Sequence, residues 1–152
     1  DVLNKFDCLY VLMHTKGTPK NMQNYASYNN VSSEVYNFFK TKIKKLKEKG
    51  IKTSRIIIDP GFGFAKKDKH NFQILNYLPI FLDLGLPILV GLSRKSMVKR
   101  FIEQDTEKCL PCSIVLALDA YLKGAKILRV HDVKETRDAI NIYKRANHIN
   151  AN

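Results

Sequence analysis

The sequence is poor in cysteine and has no long apolar run. It contains three cysteines in 152 residues, an odd number, and we expect no secretory leader. This usage predicts a reducing compartment, which we expect to be the cytoplasm. No apolar run approaches the ~20 residues of a transmembrane helix, so no membrane span is expected. The chain begins at Asp1 without an initiator methionine, and we expect residues upstream of it to have been removed or left out.

Acidic residues are also scarce. Lysine and arginine number 26 against 14 aspartates and glutamates, which gives a net charge of +12. This excess favours anionic partners: nucleic acid, a membrane surface or phosphorylated small molecules. The densest lysine stretch, residues 40–52, has the pattern of an amphipathic helix. A solvated helix face is the favoured interpretation of it, and a nucleic-acid-binding stripe is the second.

Short apolar runs alternate with helical patterns along the whole chain. The apolar runs cover residues 8–13, 55–58, 88–92 and 127–130, and the helical patterns cover 35–46, 72–84 with a bend at Pro79, 95–104, 113–122 and 133–145. Continuous apolar runs are typical of parallel strands buried on both faces. No linker interrupts the pattern, so a single domain of the α/β class is predicted. Two architectures fit, a four-stranded doubly wound sheet or half of a (β/α)8 barrel.

Polar and special residues follow each predicted strand. These are Met13-His14, Asp59-Pro60-Gly61, Ser93-Arg94-Lys95-Ser96 and His131-Asp132. Ligands bind at the carboxyl ends of parallel strands in barrels and in open α/β sheets. The clustering therefore predicts a site at this end of the strands.

Asp59 ends a hydrophobic strand, so its carboxylate is partly desolvated and needs hydrogen-bond donors. The amidine or guanidine edge of a pterin or guanine would supply two parallel donors, and a helix cap or an ion pair with a lysine is the alternative. Gly61 turns the chain sharply, and Gly63 lets it pass close to a ligand. Of Phe62 and Phe64, we expect one to offer a ring face to a flat substrate and the other to pack in the core.

Residues 93–96 open a predicted helix, whose unpaired backbone N–H groups attract anions. Lys95 adds a positive charge and Ser96 a hydroxyl, so a carboxylate or a phosphate fits this place. Ordinary helix capping by the serines is compatible with that role. Arg94 is expected to point elsewhere and to be structural.

Arg129 and His131 are two positions apart at the end of the last predicted strand, where strand alternation puts both on one side. Two converging basic groups form a site for a phosphate or pyrophosphate. His131 alone would be interpreted as structural, but its pairing with Arg129 favours a functional role. His14 has no such partner in the sequence and is predicted to be structural.

These elements, in this order, resemble the dihydropteroate synthase family of the pterin-binding enzymes. The matching text is DPGFGF at 59–64, GLSRKS at 91–96 and RVHDVKET at 129–136, with Leu12-Met13-His14, Gly17, Pro19, Met22-Gln23, Lys66 and His70-Asn71. The resemblance covers essentially the whole chain. Ala65 departs from it, because the family usually has glycine there. Its methyl group is expected to be tolerated unless the residue needs a positive φ.

The resemblance implies that residues 1–152 are one partial pterin-binding domain, the C-terminal half of a TIM (β/α)8 barrel with strands five to eight. It implies a transferase of folate biosynthesis that joins 6-hydroxymethyl-7,8-dihydropterin pyrophosphate to p-aminobenzoate, giving 7,8-dihydropteroate and pyrophosphate. Mg²⁺ is expected to accompany the pyrophosphate, with its protein ligand in the missing N-terminal half and no metal ligand in this chain. The complete protein is expected to be a homodimer, with neither nucleic acid nor membrane as a partner.

The resemblance also implies roles for individual residues in substrate binding. Asp59 would recognise the pterin amidine edge, and Met13 would line the pterin pocket. Lys95 would contact the pterin and, beside Phe64, help to form the p-aminobenzoate site. Ser96 and its helix N-terminus would hold the p-aminobenzoate carboxylate.

Arg129 and His131 would bind the leaving pyrophosphate, with Arg129 also lying over the pterin. The family reaction is a dissociative substitution at the methylene carbon of the pterin. Lys95, Arg129 and His131 are therefore the expected catalytic residues, and they would act through orientation and charge stabilisation.

Two other functions fit part of the sequence. A methyltetrahydrofolate-dependent pterin-binding methyltransferase is the nearer alternative, but it has no need for the two anion sites. A basic nucleic-acid-binding domain would account for the charge and would place lysines on one face with interleaved aromatics. We also expect the isolated piece to be inactive, and to associate with itself or need its partner half, because its first and last parallel strands leave open edges.

Overall fold

Parallel strands and helices alternate along the chain in a computed structural model that describes residues 2–102 and 106–148. The strands are β1 (Tyr10–Met13), β2 (Ile56–Asp59), β3 (Leu89–Val90) and β4 (Ile127–Leu128). The α-helices are α1 (Val2–Lys5), α2 (Val31–Glu48), α3 (Asp68–Asn76), α4 (Ser96–Ile102), α5 (Leu110–Leu122) and α6 (Val133–His148). Short 3₁₀ helices cover Met22–Tyr25, Thr53–Arg55, Leu78–Leu84 and Thr106–Cys109. The predicted α/β class is confirmed.

The strands lie side by side in chain order. β1 pairs with β2 in parallel, and β3 pairs with β4 in parallel. A parallel bridge between Ile58 and Ile88 joins the two pairs, and the Ile58 amide donates a 3.0 Å hydrogen bond to the Pro87 carbonyl. A doubly wound sheet reverses its strand order at a switch point, whereas a barrel keeps chain order. Within the described residues no such reversal occurs, so the arrangement is that of a barrel wall.

β1 begins at Tyr10, later than predicted, because the backbone carbonyl groups before it accept hydrogen bonds from a side chain. The Arg55 guanidinium donates 2.9 Å hydrogen bonds to the carbonyl oxygens of Leu3 and Cys8, and another to the carbonyl of Phe6. These carbonyl groups are satisfied by Arg55 and need no neighbouring strand. The same contacts attach α1 to the start of β2.

The other strand boundaries shift as well. β2 runs one residue later than predicted, so that Asp59 is the last residue of its ladder. β3 and β4 end early, at Val90 and Leu128. Arg129 and His131 therefore lie beyond the end of β4.

Helix α2 has the predicted amphipathic character. The Asn30 side chain accepts a 3.0 Å hydrogen bond from the Ser33 amide and caps the first turn. Val35, Phe39 and Ile43 recur at a spacing of four residues and are buried in the core. The lysines within residues 40–52 are exposed, as expected of a solvated helix face.

The single helix predicted over residues 72–84 is wrong. The structure has α3 over Asp68–Asn76 and a separate 3₁₀ helix over Leu78–Leu84, so the chain breaks at Tyr77. Pro79 has no N–H to donate, and its ring disfavours helical backbone in the preceding residue. A full helix break, and not a bend, is the consequence.

The later helices largely follow the sequence. α4 begins within the predicted helix over 95–104, whose last two residues lie outside the described part of the chain. α5 starts earlier than predicted, with Pro111 in its first turn, where an N–H is not needed. None of the described helices is both long enough and apolar enough to cross a bilayer.

The core lies between the strands and the helices packed on them. Its fully buried side chains include Phe39 of α2, Ile58 of β2, Phe81 and Ile88. The rings of Phe39 and Phe81 meet edge to face at 5.8 Å between centroids. This packing fixes the carboxyl ends of the strands relative to one another, and the candidate site lies there.

Candidate functional site

The carboxyl ends of β1 and β2 meet at Asp59. The strand register pairs Asp59 with Met13, and the amide of His14 donates a 2.9 Å hydrogen bond to the Asp59 carbonyl. Met13 is half-buried at this end of β1. The two residues that the family resemblance assigns to the pterin pocket therefore lie side by side.

The Asp59 carboxylate is buried with one oxygen satisfied and the other not. The side chain is 2% exposed, and Oδ1 accepts a 2.8 Å hydrogen bond from the Gly61 amide. Oδ2 has no hydrogen-bond partner among the described residues, although Nη2 of Arg129 lies 3.6 Å away. Burial raises the pKa of Asp59, against the Gly61 N–H and the charges of Arg129, Lys95 and Lys66. Buried acceptors are nearly always paired, so Oδ2 marks a position for a ligand donor.

The turn after β2 has no room for a side chain at Gly61. Its φ is +71°, and a Cβ there would lie 2.0 Å from the carbonyl oxygen of His14. Both facts require glycine. The Gly63 amide donates to Oδ1 of Asn71 at 2.9 Å, and the Phe64 amide donates to the Gly61 carbonyl at 3.0 Å. The turn is thus held by its own backbone and by α3.

Ala65 has the positive φ at which its methyl group is expected to be unfavourable. Its φ is +51°, in the left-handed region, and the residue is fully buried. A non-glycine residue in this conformation costs roughly 1 kcal/mol. The Tyr28 hydroxyl donates a 2.9 Å hydrogen bond to the Ala65 carbonyl and helps to hold it there.

The two phenylalanines of the turn have different surroundings. Phe62 is 2% exposed and belongs to the core. Phe64 is half-buried, and the Lys95 ammonium lies 4.7 Å from the centre of its ring, which is a cation–π distance. Phe64 is therefore the one of the two that presents a ring face.

Lys95 reaches from the end of β3 to the turn after β2. A Cβ on Gly63 would lie 3.6 Å from the Lys95 ammonium, so the lysine lies close to the turn backbone there. Burial lowers the pKa of Lys95, the charge of Arg129 lowers it further, and the charge of Asp59 opposes both. Asp59, Phe64, Lys95 and Arg129 therefore form one electrostatically coupled group.

Arg129 and His131 line a cavity of about 190 Å³ together with Gly91, Ser93 and Lys95. The Arg129 guanidinium lies over the bare backbone of Gly91, where a Cβ would be 3.1 Å from Nη2. Nδ1 of His131 is 3.0 Å from the Ser93 hydroxyl, which orients the imidazole. The Arg129 side chain is 58% exposed, so this part of the site is open.

Strand alternation does not explain why Arg129 and His131 line the same cavity. β4 ends at Leu128, so neither Arg129 nor His131 belongs to the strand. Val130, which alternation would place on the opposite side, lines the same cavity. The turn after β4 brings both basic groups together.

Arg94 and Ser96 flank Lys95 but are not among the residues that line this cavity. Ser96 is exposed at the start of α4, and its hydroxyl accepts a 3.3 Å hydrogen bond from Arg100. Arg94 donates to both carboxylate oxygens of Asp132, at 2.5 and 3.3 Å. The expectation that Arg94 points away from the site is confirmed.

A buried lysine that belongs to the family resemblance, but to which the resemblance gave no role, lies under the turn. Lys66 is 3% exposed, and its Nζ lies 2.9 Å from Nδ1 of His14 and 3.0 and 3.1 Å from the carbonyl oxygens of Phe64 and Gly61. Burial lowers the pKa of Lys66 to about 7, against the raising effect of Asp59. Burial, followed by the charge of Lys66, lowers the pKa of His14 to about 3. His14 thus has a basic partner, 52 positions away, that no periodicity reveals.

The described residues contain no group of three or more His, Cys, Asp or Glu side chains placed to hold a metal ion. The carboxylate of Asp59 is engaged with Gly61 and Arg129, and His131 is engaged with Ser93. The family resemblance puts the protein ligand of Mg²⁺ outside this chain, so that expectation stays a prediction.

Comparison with known proteins agrees with this geometry. The family model described as pterin binding enzyme matches residues 1–131. The dihydropteroate synthase of Escherichia coli K12 is 41% identical over 131 residues, which cover 86% of this chain and 46% of the relative. The structure of Yersinia pestis dihydropteroate synthase with a sulfonamide drug complex has a TM-score of 0.86 at 39% identity, covering 91% of this chain and 51% of that one. Xanthomonas albilineans dihydropteroate synthase in complex with 7,8-dihydropteroate has a TM-score of 0.82 at 36% identity, covering 90% and 50%.

The chain spans about half the length of the curated relatives it matches, 46% of the Escherichia coli protein. Its α/β structure correspondingly matches about half of each TIM-barrel chain, 51% in the Yersinia pestis case. The strands seen in chain order agree with that match.

Proposed function

This chain belongs to the dihydropteroate synthase family of the pterin-binding enzymes, and we propose that it forms the C-terminal half of such an enzyme, a partial domain with strands five to eight of the barrel. The proposed reaction condenses 6-hydroxymethyl-7,8-dihydropterin pyrophosphate with p-aminobenzoate, giving 7,8-dihydropteroate and pyrophosphate. The observation that carries the proposal is the buried Asp59 carboxylate, whose Oδ2 accepts no hydrogen bond from any described residue.

Asp59 would bind the amidine edge of the pterin. That edge offers two parallel N–H donors, and a buried carboxylate binds such a pair strongly because few competing waters are present. Oδ2 is open to one donor, while the Gly61 amide holds Oδ1 in place. Met13, beside Asp59 at the end of β1, would line the same pocket.

Lys95 and Phe64 would form the wall between the two substrates. The ammonium of Lys95 over the Phe64 ring makes a mixed polar and aromatic surface, which suits a flat aniline on one side and a pterin on the other. Ser96, exposed at the start of α4, would hold the p-aminobenzoate carboxylate. Its present partner is Arg100 of the same helix, whose guanidinium also donates to both carboxylate oxygens of Asp68.

Arg129 and His131 would bind the leaving pyrophosphate in the cavity beyond β4. The bond from the pterin methylene carbon to the pyrophosphate oxygen breaks, and its electron pair leaves with pyrophosphate. The resulting cation is delocalised into the pterin until the aniline nitrogen of p-aminobenzoate forms the new carbon–nitrogen bond and loses a proton. Arg129 and Lys95 stabilise the charge that develops on pyrophosphate, while Asp59 keeps the pterin oriented.

The proposal includes that this chain alone does not turn over. β1 and β4 each pair on one side only among the described strands, and a closed barrel needs eight. The complete protein would act in the cytoplasm as a homodimer on small-molecule substrates.

A split-enzyme assay tests the proposed function. The chain is mixed with the part of the Escherichia coli relative that it does not match, assembly is verified by size-exclusion chromatography, and 7,8-dihydropteroate is measured. We expect product from the assembled mixture and none from either half, and Asp59→Asn in this chain should suppress it. Assembly without product would contradict the proposal, as would tight, salt-sensitive RNA binding by a chain with no affinity for pterin.

A further inference from the structure

Lys66 is surrounded by acceptors from two different segments. The carbonyl oxygens of Gly61 and Phe64 belong to the turn after β2, and Nδ1 and the carbonyl oxygen of His14 belong to the end of β1. An ammonium group has three N–H donors, so these groups engage all of them. No carboxylate oxygen lies within salt-bridge distance of the Lys66 ammonium among the described residues.

Burying an ammonium with no paired carboxylate is expensive, and an apolar side chain of similar length would fill the same space without that cost. The free energy of folding therefore does not explain why a lysine stands here. What a methionine could not supply is the set of directed hydrogen bonds between the two segments. The lysine therefore contributes a fixed arrangement of the two segments and not added stability.

The hydrogen bonds lead from Lys66 to the groups of the proposed pterin pocket. Gly61 accepts from Lys66 through its carbonyl and donates to Asp59 through its amide. Phe64 accepts from Lys66 through its carbonyl and donates through its amide to Gly61. Loss of the Lys66 hydrogen bonds would thus free the backbone of Gly61 and Phe64, which holds the Asp59 carboxylate and carries the Phe64 ring.

We propose that Lys66 is a positioning residue: by joining the carbonyls of Gly61 and Phe64 to His14, it fixes the turn that aims the Asp59 carboxylate. The role in pterin recognition rests on the proposed function, whereas the effect on the turn does not. Lys66 lies under the turn and acts on a ligand only through it.

The test compares Lys66→Met with Lys67→Met, a substitution of the exposed lysine next to it. Backbone hydrogen exchange is measured by NMR at Gly61, Gly63 and Phe64, with Ile58 in β2 as the core reference. We expect exchange at the turn amides to be faster by roughly tenfold or more, because charge-assisted hydrogen bonds are lost there, with no change at Ile58. We also expect the Tm of Lys66→Met to be equal to or above that of the unsubstituted chain, because a buried charge has been removed.

Each outcome decides the question. If Lys66→Met fails to fold, or has a lower Tm and faster exchange at all amides, Lys66 only stabilises the fold and the proposal is wrong. If exchange at the turn amides is unchanged, Lys66 does not position the turn, and the proposal is equally wrong. In the unsubstituted chain, the Lys66 ammonium should give a slowly exchanging ¹⁵N–H resonance, and a freely rotating, fast-exchanging group would overturn the proposal. Titration with 6-hydroxymethylpterin of this chain assembled with the unmatched part of the Escherichia coli relative separates the two claims: if that assembly binds none, the proposed function is what fails, and the exchange data still decide the role of Lys66.

Discussion

The turn after β2, residues 59–66, and the end of β4, residues 129–131, face the same site but are built differently. In the first, Asp59 is 1% exposed and Lys66 is 3% exposed. In the second, the Arg129 side chain is 58% exposed, and it borders an open cavity. Recognition of a flat, neutral edge depends on the direction of each hydrogen bond, whereas an anion is attracted by charge at many angles. A rigid turn suits the first task, and exposed basic side chains suit the second.

The position of each strand in the wall explains the difference. β2 lies between β1 and β3, and all four of its residues are buried. β4 lies at the outer edge, and both of its residues are only half-buried. The turn after β2 therefore has neighbours on both sides to hold it, and the end of β4 has one.

The largest effect is expected from a side chain in the rigid turn. Gly61→Ala places a Cβ 2.0 Å from the His14 carbonyl oxygen, so the turn must separate from β1. We expect urea unfolding to show a loss of more than about 3 kcal/mol. Gly50→Ala is the matched control, since its φ is +81° but its Cβ would meet nothing within 4 Å. Equal losses in the two variants would mean that the turn is not held against β1.

Acid should weaken the rigid region through His14. Its folded pKa of about 3 lies below its ordinary value of 6.5, so the neutral form is favoured by folding. The contribution of neutral His14 to the free energy of unfolding is fully present above pH 6.5 and is lost as the pH falls toward 3. The loss amounts to a few kcal/mol, at about 1.4 kcal/mol for each pKa unit. Urea midpoints measured between pH 7 and 3 should show this slope, and His14→Gln should reduce it. An unchanged slope in His14→Gln would assign the acid sensitivity to other groups.

The smallest effect on stability is expected at the open end of β4. Arg129→Met should change the free energy of unfolding by about 0.5 kcal/mol or less, because the side chain is largely exposed. The same substitution should weaken binding of inorganic pyrophosphate by about tenfold and reduce its salt dependence, measured by calorimetry. Arg137→Met on the exposed face of α6 is the control and should change neither. Equal weakening by both variants would indicate general charge attraction.

The parts of the site that the sequence predicts are those determined by local pattern. An apolar run followed by Asp59 defines a strand end, and glycines on both sides of Phe62 define a tight turn with little room for two exposed rings. The ion pair of Asp59 with Arg129 and the contact of Lys66 with His14 join residues far apart in the chain, and only the packing of strands brings them together. The break at Tyr77 exceeds the bend that the sequence predicts, although the effect of Pro79 is local.

The central claim is that the Asp59 carboxylate oxygen that accepts no hydrogen bond from the described residues receives the pterin. The most direct measurement is the ¹³C resonance of the Asp59 carboxyl group during titration with 6-hydroxymethylpterin. A saturable shift at Asp59, accompanied by shifts of the Gly61 and Phe64 amides and with none at the exposed Asp83, is the predicted result. Saturable pterin binding that leaves the Asp59 carboxyl resonance unmoved would contradict the account.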